Sequence, residues 1–92
     1  MYLDNLIEKQ KTTFEALESL QRNIKKDPAE RKSRPDYARR KLANLEDLWS
    51  DFQQNHIQLC TYDEIIQHPY IINSEYQLAT TLYESTKELI KQ

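Results

Sequence analysis

The sequence contains no glycine, one cysteine and three prolines in 92 residues. Glycine adopts positive φ most cheaply, so its absence argues against tight β-hairpins, phosphate-cradling loops and dinucleotide-binding turns. A single cysteine, Cys60, leaves no intrachain disulfide and no cysteine-rich zinc site. It reads as a small apolar residue at a helix end, buried as unpaired cysteines commonly are, and it suits a reducing compartment. No apolar run approaches the ~20 residues that span a bilayer. The amphipathic start Met1-Tyr2-Leu3-Asp4 lacks the apolar stretch of a signal peptide. These absences predict an intracellular, cytoplasmic protein, with the nucleus as the alternative compartment.

What is present suits helices. Hydrophobic residues make up 38% and charged residues 30%. That is too polar for a membrane protein and too rich in Leu, Ile and aromatics for a disordered one. A chain of this length is one domain, residues 1–92, whose core must be efficient or completed by a second chain.

Leu3, Leu6, Ile7, Phe14, Leu17, Leu20 and Ile24 recur at three- and four-residue steps. Written as heptads, Gln10 and Thr13 form a polar layer inside that apolar stripe, and the spacing predicts a first helix over 2–26. Asp27-Pro28 breaks the pattern, with Asp27 as a cap for a new turn, so residues 27–35 form a polar connection. A stronger stripe follows in Ala38, Leu42, Leu45, Trp49, Phe52, His56 and Leu59, which predicts a second helix over 36–60. Thr61-Tyr62-Asp63-Glu64 matches a capping box opening a short helix that His68-Pro69 ends. Ser74-Glu75-Tyr76-Gln77 matches another and opens a last helix, 74–91, with a thinner and more polar stripe. The first two helices have matched length and a short connection, as in an antiparallel hairpin. The predicted fold is all-α: that hairpin with a shorter third helix across it, a three-helix bundle with coiled-coil-like packing.

Chemistry is sparse. The adjacent carboxylates Glu46-Asp47 and Asp63-Glu64 point to different sides of a helix, no serine has a nucleophile-elbow context, and no glycine-rich loop exists. We expect no enzyme, no cofactor and no metal site. His56 sits on the apolar stripe, the only other histidine is His68 beyond a break, and no H-E-x-x-H or E-x-x-H pattern surrounds it. It reads as a seam histidine with its outer nitrogen hydrogen-bonded. Residues 22–41 carry nine cations against three carboxylates, including Arg31, Lys32, Arg34, Arg39, Arg40 and Lys41. At a hairpin tip this is either a solvated turn or a contact for phosphate or an acidic surface. Tyr70, Ile71 and Ile72 form an apolar triplet in a connection, a candidate exposed anchor or a plug for the bundle end.

The stretch from Arg40 to His56, with Leu42, Leu45, Trp49, Phe52 and His56 in L-x-x-L-x-x-x-W-x-x-F-x-x-x-H spacing, resembles the N-terminal helical region of gag-like polyproteins of insect BEL/Pao-type LTR retrotransposons. His68-Pro69-Tyr70, Tyr76, Tyr83 and Lys87 are similar to the rest of that pattern, which covers residues 37–90. The resemblance implies a structural gag segment that self-associates or binds a partner, in a transposon or a domesticated copy. A C-x-x-C zinc knuckle and a D-[ST]-G protease motif are missing, and there is no room for a capsid domain. The expected function is a non-enzymatic interaction module whose seam is Leu42, Leu45, Trp49, Phe52, His56 and Leu59. Its expected partner is a second copy or another helical protein. The alternative is a nucleic-acid-binding accessory domain that uses the basic tip at 22–41.

Overall fold

A computed structural model of the chain describes residues 2–68, 70 and 74–91. Every regular element among them is helical: α1 (Tyr2–Lys26), α2 (Ala29–Lys32), α3 (Tyr37–Leu59), a 3₁₀ helix (Asp63–Gln67) and α4 (Glu75–Lys91). The three long helices contact one another pairwise and α2 rests on α3. Together they make a rod of 48 × 19 × 16 Å.

The contacts run in a definite order. Gln10 of α1 reaches the Phe52 carbonyl late in α3, whereas Leu17, Leu20 and Ile24 pack with Leu45 in its first half. On α4, Gln21 meets Ser85 and Thr86, and Leu6 shares a cluster with Ala79. Partners therefore come in opposite order along α1 and α3, and in the same order along α1 and α4.

Two apolar clusters fill the rod. One joins Leu6, Trp49, Phe52, Leu59, Ile65, Tyr70 and Ala79. The other joins Leu17, Leu20, Ile24, Leu45 and Ile90, nearer residues 22–41. Each fully buried Leu or Phe contributes roughly 1.5–3 kcal/mol by leaving water. The α1 stripe supplies both clusters because its spacing keeps one face turned inward along 25 residues.

Local chemistry departs from the sequence reading at four places. Ala38, expected on the stripe, is exposed. The last apolar layer on α1 is Ile24, and the first turn of α3 extends past it into polar contacts made by Asp27. Asp27 does not cap α2; the N-cap is Pro28 and the Asp27 carboxylate turns to Tyr37, Arg31 and Lys41. Thr61 does not close a capping box either, since its hydroxyl donates back to the Gln58 carbonyl and the N-cap of the 3₁₀ helix is Tyr62. Ser74 lies at φ 55°, whereas an N-cap that receives the N3 amide is extended. The left-handed conformation removes it from that role, although its carbonyl still accepts the Leu78 amide at 3.1 Å.

Candidate functional site

The residues singled out on α3 divide between two neighbours. Leu45 and Leu59 are fully buried, Phe52 and Trp49 nearly so, and Leu42 is half-buried. The aromatic members turn to α4 as well as to α1. Trp49 stacks on Phe52 at 5.7 Å between centroids and on Tyr83 at 4.7 Å. Tyr76 tilts against both Trp49 and Phe52 and stacks on His56 at 4.0 Å. Planar side chains pack well here because one polar edge can stay at the surface while the faces are covered. Tyr83 uses its edge this way: its hydroxyl donates to Glu46, 2.8 and 2.9 Å from the two carboxylate oxygens, and accepts from Lys87 Nζ at 3.2 Å. Lys87 also pairs with Glu46 at 3.2 Å. The Tyr83 hydrogen bond, followed by Lys87, holds the Glu46 carboxyl below its ordinary range.

A polar relay crosses the first cluster. Gln10, the polar heptad layer, is only 2% exposed. Its Nε2 donates to the Phe52 carbonyl at 2.9 Å and to the Tyr70 hydroxyl at 3.1 Å. The Tyr70 oxygen lies 2.8 Å from His56 Nδ1, and His56 Nε2 lies 3.5 Å from Cys60 Sγ. A neutral imidazole with its proton on Nε2 lets Tyr70 donate to His56 Nδ1 while it accepts from Gln10. Burial, which penalises the charged imidazolium, keeps the His56 pKa below its ordinary value. Cys60, expected buried, is exposed at the α3 C-cap, because the chain turns there and the thiol lies outside both clusters. No three His, Cys, Asp or Glu side chains among the described residues converge as metal ligands.

Tyr70 is not an exposed anchor. It is 2% exposed, closing the first cluster, because the two hydrogen bonds satisfy its hydroxyl inside the rod. Ile71 and Ile72 lie outside the described residues. The sequence offered one signal for this relay, a polar residue at a buried heptad position, and nothing that named its partner.

At the other end, Arg31, Lys32, Arg34, Arg39 and Arg40 are exposed and Lys41 is half-buried. Much of their charge is already answered. Asp27 pairs with Arg31 at 3.3 Å and Lys41 at 3.9 Å, and Asp36 pairs with Arg40 at 3.0 Å. Tyr37 donates to Asp27 at 2.5 Å, and this bond first, then the cations, holds the Asp27 carboxyl below its ordinary range. Burial, then that hydrogen bond, pushes the Tyr37 phenol up to about 12. Lys32, Arg34 and Arg39 make no ion pair among the described residues. No described helix is long and apolar enough to cross a membrane.

The chain matches no protein-family model, no curated protein and no solved structure.

Proposed function

We propose that this chain is a non-enzymatic structural module that self-assembles or binds a partner helix, as its resemblance to the gag-like helical region implies. In this reading α1 and α3 form an antiparallel hairpin and α4 is the shorter third helix of a coiled-coil-like bundle. The reversed order of contacts along α1 and α3 supports that arrangement. The two halves of the resemblance pattern meet in space, with Tyr76 and Tyr70 on His56 and Tyr83 on Trp49.

The observation that carries the functional reading is apolar surface left in water. Ile57 is 66% exposed, Ile66 70% and Leu78 55%. Each is a near sequence neighbour of a buried member of the first cluster, Leu59, Ile65 or Ala79. They therefore belong to the end of the rod away from residues 22–41. Large aliphatics on a chain with a small core favour burial against a second protein surface. Sedimentation equilibrium tests this: a mass above the monomer is expected, reduced when Ile57 and Ile66 become glutamine. A monomer up to high micromolar concentration would overturn self-association and leave only a foreign helical partner.

The alternative, nucleic-acid binding at the basic tip, rests on Lys32, Arg34 and Arg39, which are exposed and make no ion pair among the described residues. It expects RNA affinity that falls steeply with salt and weakens when Arg31, Lys32, Arg39 and Arg40 become alanine. Unchanged affinity in that variant would rule it out. The internal pairing of Arg31, Arg40 and Lys41 favours the protein partner.

A further inference from the structure

Charge is distributed unevenly along the rod. Residues 22–41 hold nine cations and three carboxylates, yet the whole chain carries a net −2, so the remainder is strongly acidic. At the basic tip Arg34 and Arg39 project into solvent with no carboxylate of their own among the described residues.

Farther along, a groove of about 340 Å³ opens between α1 and the residues His68, Tyr70 and Glu75. Ile7, Phe14 and Phe52 supply apolar wall. Glu15, Glu18 and Glu75 are exposed on its rim, opposed among the lining residues by Lys11. Gln10 belongs to the lining too. Three carboxylates beside an aromatic and aliphatic wall suit a side chain with an apolar stem and a cationic, donor-rich head. Arginine fits that description better than lysine, because its guanidinium carries five donors and stacks on aromatic faces.

We propose that this groove receives the basic tip of a second copy of this chain, with Arg34 or Arg39 lying beside Phe14 between Glu15 and Glu18. The inference rests on the self-association reading and adds to its exposed Ile57, Ile66 and Leu78 a separate charged contact without which the assembly does not form. Tip and groove are different patches, so each copy offers one of each. Two copies either satisfy both reciprocally or pass the contact on into a chain.

Charge exchange tests the idea on the full chain. Mass in solution, followed by light scattering, should exceed the monomer at low salt and fall as salt screens the contact. Arg34→Glu with Arg39→Glu should be monomeric, and so should Glu15→Lys with Glu18→Lys. Mixing those two variants should restore association, since each keeps the partner the other has lost and the reversed patches also match. The neutral pair Glu15→Gln and Glu18→Gln alters the rim with little change in shape and should weaken association about tenfold or more. Helical circular dichroism checks that each variant folds, and the neutral pair carries the test if a reversal variant does not. Association unchanged in the neutral pair and in both folded reversal variants would overturn this docking while self-association stood. A wild-type monomer at every salt would overturn both readings. A mass that rises only when RNA is added would assign the tip to nucleic acid and overturn the proposal.

Discussion

The Tyr70 hydroxyl sits 2.8 Å from His56 Nδ1 and ties the segment before α4 to the last turns of α3. Gln10 donates to the same oxygen, and a neutral imidazole lets Tyr70 donate its own proton to Nδ1. Protonation at Nδ1 would set two donors on one phenol and leave the Tyr70 proton without an acceptor. Around His56 stand Tyr70, the Tyr76 ring and the Cys60 thiol, and no carboxylate among the described residues pairs with it.

Acid should therefore loosen the fold through this residue. Burial places the folded-state pKa of His56 below its unfolded value of 6.5. The unfolded chain then takes the proton first, so the stabilisation is complete above that value and declines as pH falls below it. Urea midpoints measured through the weakly acidic range should drop in the wild type. His56→Gln, which does not titrate, should flatten that part of the profile. An unchanged slope in the variant would place the acid sensitivity elsewhere.

Alkali acts on the same contact with the opposite sign. Burial pushes the Tyr70 phenol up to about 12, and burial with the Asp27 bond does the same for Tyr37. Both must stay protonated in the fold, so their contribution is full below the ordinary value of 10 and is lost as pH rises from there towards 12. Phenolate absorbance should show a late-titrating fraction that shrinks in Tyr70→Phe and again in Tyr37→Phe. At neutral pH Tyr70→Phe should cost ~1–3 kcal/mol, because it leaves His56 Nδ1 without its donor and removes one acceptor from Gln10.

These contacts show where sequence reasoning stopped. Periodicity exposed the helices because the 3.6-residue repeat is written into Leu6, Leu17, Leu20, Leu45 and Phe52. It also marked Gln10 as a polar layer, but a heptad says nothing of residues far away in the chain, and Tyr70 lies 60 positions on. Tyr70 reads as an apolar residue in a connection, and only a buried acceptor and donor on either side make its interior position stable. The division of the α3 stripe between α1 and α4 was hidden for a related reason. A stripe records which face is covered and not which helix covers it.

Ala38 and Leu45 share one stripe in the sequence, yet only Leu45 should be sensitive to substitution. Leu45 is fully buried among Leu17, Leu20 and Ile24, so Leu45→Ala should cost ~2–5 kcal/mol through lost transfer energy and the cavity left behind. Ala38 is exposed, and Ala38→Gln should fall within about 0.5 kcal/mol of the wild type. Urea unfolding of both variants checks the pair. A large loss at Ala38 would mean that this turn is covered in solution, as by a partner.

Ser74 is the position where a glycine-free sequence meets a conformation that favours glycine. Its φ of 55° brings Cβ close to the backbone, a cost of roughly 1–2 kcal/mol for an L-residue. The capping-box reading required an extended Ser74, so the sequence pointed to the start of α4 but to the wrong backbone. Ser74→Gly should stabilise the chain by ~0.5–1 kcal/mol, since relief of that strain exceeds the extra chain entropy of glycine. Ser74→Asn should change stability less, and Ser74→Val should lose more than about 1 kcal/mol because a β-branched side chain tolerates positive φ poorly. Urea midpoints at unchanged slope give the ranking Gly, Asn, Ser, Val. A Gly variant no more stable than the wild type would show that the Ser74 side chain contributes enough to offset its own strain.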